Sequence, residues 1–186
     1  HSFVLSAMVL EADRRNKGAN AGRDRSINLG TVGAPVRVTP GNLPVNLMNL
    51  RNVLVHNSRW KNGEMFLIVP PEFSNVVIQS EYRLAADISC CKDPSMLLTG
   101  ELPGQLAGFR AIESMRTISA FDQAVNKQAY YILAFWKEAF AFYGDITEGR
   151  IIEDKDYWGR QYQMAALWGG KAIYGDAIAV GYWTFE

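Results

Sequence analysis

Side chains suited to acid–base or nucleophilic chemistry are scarce in this chain of 186 residues. Its two histidines, His1 and His56, stand far apart. His56 falls near the end of an amphipathic segment, where an exposed or helix-capping role is the ordinary one, so no histidine-based triad is expected. Ser89-Cys90-Cys91 has neither a glycine elbow nor a basic neighbour, and its cysteines are expected to pack rather than react. A disulfide between adjacent residues is strained, so the pair provides no disulfide framework and points to a reducing compartment. Two neighbouring thiols and two distant histidines do not match zinc-ligand spacing either.

The carboxylates Asp145, Glu148, Glu153, Asp154 and Asp156 form the one dense acidic group. Such a group can supply a pair for glycoside hydrolysis or oxygen ligands for calcium, but an EF-hand's ligand spacing is missing. Arg150, Lys155 and Arg160 are interleaved with it, which favours a solvated or interfacial ion-pair network. Gly22, Gly30 and Gly33 lack the GxGxxG spacing and preceding strand of a phosphate-binding loop. The aromatic set Tyr130, Tyr131, Phe135, Trp136, Phe140, Phe142 and Tyr143 is interrupted by one cation, Lys137. A buried core or subunit contact therefore explains it better than base stacking. No cofactor or metal is expected.

The elements that must position these residues follow from pattern. Hydrophobic residues make up 48% and aromatics 12% of a length typical of one domain. The 19 basic residues balance the 19 acidic ones, so net charge gives no reason to expect tight wrapping by nucleic acid. The longest apolar run, Ala129 to Trp136, is far short of the roughly 20 residues of a membrane-spanning helix, and no membrane partner is expected. Residues 2–17 read as the end of a helix, closed by Arg14, Arg15 and Lys17 before a left-handed Gly18. The opening at His1, straight into apolar residues with no capping residue ahead, reads as a fragment lacking its true N-terminus.

A long Gly/Asn/Pro-rich segment, 18–42, contains a short strand at Val36 to Val38. Leu43, Leu47, Leu50 and Leu54 then share one face of a helix running to about Asn57, with Asn42 as N-cap. Met65 to Val69 reads as a strand covered on both faces, and Pro70-Pro71-Glu72 as the start of a helix whose apolar face is Phe73, Val76 and Val77. Asp87 to Gly108 is turn-rich, followed by a short strand at Phe109 to Ile112. Tyr130 to Phe135 reads as a buried strand, apolar on both faces and covered on one side by the Leu47, Leu50 and Leu54 helix. Further on come a short helix at Lys137 to Tyr143, a strand at Arg150 to Glu153, a helical turn at Tyr157 to Arg160 or else the lead into the next strand, and a long final strand at Tyr162 to Leu167. The tail from Ala172 to Trp183 alternates around a break at Gly175-Asp176.

The order of these segments resembles the major capsid proteins of tailed bacteriophages. A helix end, a long loop and a helix of about 15 residues are followed by the elements Gly63 to Phe73 and Gly108 to Ser114. The strongest similarity lies at the end. There the chain presents Tyr131 to Trp136, then Lys137-Glu138-Ala139-Phe140-Ala141, then Gly149-Arg150-Ile151-Ile152. Asp154 to Gly159, Met164 to Trp168, Gly169 to Tyr174 and Ala177 to Val180 follow in turn, with Gly175-Asp176 where the family commonly has Pro-Glu.

The resemblance covers roughly Leu43 to Trp183 and implies an α+β fold with a spine helix. Residues 1–17 and 137–172 would form its peripheral domain, and 18–136 and 173–186 its axial domain. The family's N-terminal arm and extended loop would precede His1. It further implies a non-enzymatic subunit that self-assembles into hexamers and pentamers of an icosahedral head around double-stranded DNA. The location would be the virion, after assembly in the host cytoplasm, with scaffolding, portal and decoration proteins as further partners. Arg14, Arg15, Arg23, Arg25, Glu148, Asp154 and Asp156 are the expected intersubunit or lumen-facing residues. An encapsulin-type shell is the alternative within the fold, and a small hydrolase or carbohydrate-binding module the alternative outside it.

Overall fold

The computed structural model describes residues 2–81, 102, 105–153 and 159–186. Cys90, Cys91, Asp154 and Asp156 lie outside them, as does most of the turn-rich middle. The fold is mixed α+β, built on a six-stranded sheet and a separate two-stranded one.

The six-stranded sheet comprises β1 (Val36–Val38), β2 (Met65–Val69), β3 (Arg110–Glu113), β4 (Ser119–Asp122), β5 (Lys127–Trp136) and β8 (Ile178–Phe185). Its order is β1-β8-β5-β2-β3, with β4 also on β5. β5 organises the sheet, pairing along one edge with β8 from Tyr130↔Trp183 to Phe135↔Ile178. Its other edge is shared, β2 taking Leu133 to Trp136 and β4 taking Lys127 to Tyr130. Leu133 is consequently laddered on both sides, to Ile68 and to Val180. β4 escaped the sequence reading, because Ser119 to Asp122 offers only two apolar residues, Ala120 and Phe121, both exposed.

The two-strand alternation of β5 places Ile132, Ala134 and Trp136 on one face, all buried, with Met65 and Leu67 of β2 beside them. On the opposite face Leu133 is buried while Tyr131 and Phe135 are half-buried, so coverage of the two faces is unequal. Helices α2 (Leu43–His56) and α3 (Glu72–Gln79) both pack on β8. The expected seat of α2 over β5 is thus displaced by one strand. β2 shows the same asymmetry, with Phe66 and Ile68 half-buried and stacked or laddered against Phe135 and Leu133.

Three local expectations need correction. Helix α1 spans Ser2–Glu11 and does not reach Lys17. It stops where Gly175 abuts it: a Cβ on Gly175 would lie 2.6 Å from the Glu11 carbonyl oxygen, and Asp13 N donates to the Gly175 carbonyl at 3.0 Å. A 3-10 turn at Arg14–Asn16 follows, and Lys17 Nζ reaches back to the carbonyls of Val9 and Leu10, serving the exposed end of α1 from beyond it. Asn42 precedes α2 but does not cap it. Its amide oxygen accepts from Thr39 N and its Nδ2 donates to the Arg37 carbonyl, each at 2.8 Å, so the side chain fastens the incoming loop instead. Pro44 in the first turn removes one of the donors a cap would satisfy.

The third correction is the largest. Residues 137–143 form no helix: Ala139 N closes a turn onto the Trp136 carbonyl, and β6 (Phe140–Glu153) starts at the next residue. Phe140, Ala141, Phe142 and Tyr143 alternate with a period of two, and bulky aromatics favour strands. The strands expected at Arg150 to Glu153 and Tyr162 to Leu167 are parts of β6 and of β7 (Arg160–Ala172), each roughly twice as long as foreseen or more. Arg160 opens β7, in line with the second of the two readings of that stretch, the lead into the final strand.

Asn16 is fully buried, and its Nδ2 donates to the carbonyls of Asp176 at 2.8 Å and Ile178 at 2.9 Å. Its Oδ1 accepts from Asn57 Nδ2 at 2.6 Å.

Three stability predictions follow from this packing. Leu133→Ala should cost about 2–5 kcal/mol in chemical denaturation, the range for a truncated core leucine. Asn16→Ala should cost at least about 1–3 kcal/mol, because it strands buried partners of one amide. The third concerns alkaline pH. Burial, reinforced by the charge of Asp122, pushes the Tyr182 hydroxyl up to about 12. Its folded value exceeds the unfolded one of about 10, so its contribution is complete below about pH 10 and is lost as pH rises from there toward 12. The unfolding free energy from urea titrations should fall over that window by up to about 1.4 kcal/mol per pH unit from this residue, and Tyr182→Phe should make the fall shallower.

Candidate assembly surface

Strands β6 and β7 pair antiparallel from Phe140↔Ala172 to Glu153↔Arg160, with one irregularity between Ile146 and Glu148. That irregularity matters because one unpaired residue reverses the alternation of everything beyond it. Before it, Phe140, Phe142 and Ile146 share a face with Ala166, Trp168, Gly170 and Ala172. After it, Gly149 and Ile151 join that same face, opposite Met164 and Tyr162. The insertion of Thr147 therefore keeps Phe140, Phe142, Ile146, Ile151, Tyr162, Met164 and Trp168 on one side, while Tyr143, Ile152 and Leu167 fall on the other. Tyr143, Asp145, Glu148, Arg150 and Ile152 occupy the other side with Gln163, Leu167 and Lys171. Gly170 admits the Phe140 ring, which a Cβ there would meet at 2.6 Å.

Phe142, Ile146, Ile151, Tyr162, Met164 and Trp168 are each between 55% and 66% exposed. Together they present roughly 800 Å² of accessible surface, the scale of one partner's share in a standard interface.

Helix α1 covers only the inner end of this face. Phe3 meets Trp168 edge to face at 5.2 Å, and the Ala172 amide donates to the Glu11 carboxylate. Val4, Leu5 and Met8 line a groove with Ile68, Phe135 and Phe140 where the hairpin leaves the larger sheet. Tyr162, Met164, Ile146 and Ile151 lie farther along the hairpin from Trp168, toward its distal end.

Of the charged residues singled out in the sequence, Arg14 and Arg15 lie on a stretch that the backbone joins to the one bearing Arg23 and Arg25. Gly22 N donates to the Arg15 carbonyl at 2.7 Å, joining the two stretches, and all four side chains are exposed. Glu148 stands apart from them, exposed on the two-stranded sheet. The expected ion-pair network is not what engages Arg150, whose Nε and Nη2 donate to Gln163 Oε1 at 3.1 and 3.0 Å across the hairpin. His56 is exposed at the end of α2. Among the described residues no group of three or more His, Cys, Asp or Glu side chains is placed to hold a metal ion. Near the end of β8, Tyr130 donates to Glu72 at 2.8 Å, and burial together with that carboxylate pushes its hydroxyl up to about 12. The sequence reading named Phe140, Phe142 and Tyr143 as a core or subunit contact but did not join them to Ile146, Ile151, Tyr162, Met164 and Trp168 in one face, because the period-two signal is broken at Thr147.

No protein-family model matches the chain, and no curated protein does. Solved structures do: a protein of Mycobacterium phage Che8 aligns over 100% of this chain with a TM-score of 0.59 and 18% identity. The chain spans 57% of the length of that protein. The mixed α+β arrangement described above is thus a fold found in a phage protein.

Proposed function

We propose that this chain belongs to a structural subunit of a tailed-phage head. Copies of it would assemble as hexamers and pentamers into an icosahedral shell enclosing double-stranded DNA. The uncovered apolar face of the β6–β7 hairpin carries this reading. An isolated two-stranded sheet is marginal in water, and an apolar face of this size on a monomer marks a surface buried in the working state. The fold shared with a phage protein supports it from a separate direction.

In this reading residues 1–17 and 137–172 form the peripheral domain, and 18–136 with 173–186 the axial one. The separation of the two sheets agrees with that division. Rings of five or six copies require head-to-tail contacts between unlike patches, individually weak and cumulative over a shell. Scaffolding, portal and decoration proteins would be further partners, and the role is structural rather than enzymatic.

The test is assembly of the full-length protein, followed by electron microscopy and sedimentation. Met164→Glu should abolish shells while leaving the unfolding free energy of the subunit within about 0.5 kcal/mol of wild type, as an exposed position should. Gln163→Glu, on the opposite face, should assemble normally. Normal shells from Met164→Glu would overturn the assignment of this face.

A further inference from the structure

We propose that the turn bearing Arg14, Arg15, Arg23 and Arg25 is a binding element for the phosphate backbone of double-stranded DNA. It rests on the shell reading for the identity of the DNA, but not for the chemistry of the site.

The chain as a whole is electrically neutral, yet residues 13–25 concentrate five cations against Asp13 and Asp24. Lys17 is committed to the end of α1, which leaves the four guanidinium groups. All four are exposed, and none forms an ion pair among the described residues. The ion pairs that do form are elsewhere, at Arg37–Glu186, Arg59–Asp176 and Lys127–Glu186. Asp13 is occupied, since its side chain accepts from Arg15 N at 2.9 Å.

The backbone that holds the arginines is fixed. Ala21 and Ile27 exchange both amide bonds, at 2.7 and 3.1 Å, and Gly22 N is bonded to the Arg15 carbonyl. Arg25 adopts a φ of 52°, a left-handed conformation uncommon for a side-chain-bearing residue. Below the turn, fully buried Asn16 anchors it to the body of the protein. Four planar forks displayed on a braced turn, each able to grip a phosphate through two parallel N–H bonds, suit a regular polyanion. The turn offers no aromatic side chain to stack on bases and Asn20 as its one exposed amide, so contacts to phosphate should dominate and binding should depend little on sequence.

The experiment titrates full-length protein, before assembly, onto two labelled duplexes of unrelated sequence at several salt concentrations. Equal affinity for both is expected, with log K falling against log salt at a slope of about −3 to −4, as for about four neutralised phosphates. Reversing Arg23 and Arg25 to Glu should weaken binding at least about tenfold and bring the slope to about −2 or shallower. The same variant should still form shells, now with reduced DNA content. Unchanged affinity and slope in the variant would overturn the proposal. So would loss of assembly with DNA binding intact, which would make the turn a subunit contact. Failure of the wild-type protein to form shells would count against the shell reading alone, since duplex binding is measured independently.

Discussion

The amide of Asn16 is the joint on which the arrangement of the molecule turns. From a fully buried position it bonds to the backbone entering β8 and to Asn57 at the end of α2. It sits in the turn that ends α1. Asn57 itself also donates to the Asp176 carbonyl, and Asp176 pairs with Arg59 at 2.7 Å while Arg59 lies over the Tyr174 ring. Each polar group here is satisfied by another, and a buried group left without its partner is costly, so the constellation specifies one geometry for three chain segments. That geometry fixes where the hairpin departs, because Ile173 N is bonded to the Ala139 carbonyl immediately beside it. A single small side chain thereby sets the relation between α1, the hairpin base and the arginine-bearing turn.

The two sheets divide the physical tasks. The six-stranded sheet buries its own residues, with β5 laddered on both edges and β8 buried along nearly its whole length. The hairpin does the reverse and displays apolar residues to solvent, having α1 at one end and, among the described residues, nothing comparable farther out. A stable body and a surface that gains by being covered are complementary requirements for a subunit that folds first and assembles afterwards. Stability of the body should therefore be largely independent of substitutions on the outer hairpin.

Much of the larger sheet was legible in the sequence because its signals are local. The leucines of α2 repeat at helical spacing, β2 is a bounded apolar run, and Pro71 with Glu72 announces α3. The hairpin was not legible, because its alternation is interrupted at Thr147 and its glycines resemble turn residues until the rings of Phe140, Phe142 and Tyr162 are seen to occupy the space. The end of α1 was missed for a different reason. Its terminus is set by the approach of Gly175, more than 150 residues away, a contact that no local pattern encodes. The arginines were found by composition, but the joining of their two stretches depends on the bond from Gly22 to Arg15, which spacing alone does not reveal.

The central claim is that the hairpin is an assembly surface held out from an independently stable body, and amide hydrogen exchange tests it most directly. Peptides covering β5 and β8 should be strongly protected in the unassembled full-length protein. Those covering residues 140–153 and 160–172 should exchange quickly there and become protected only in assembled shells. Hairpin amides as protected as those of β5 before assembly, with no further change on assembly, would contradict the account.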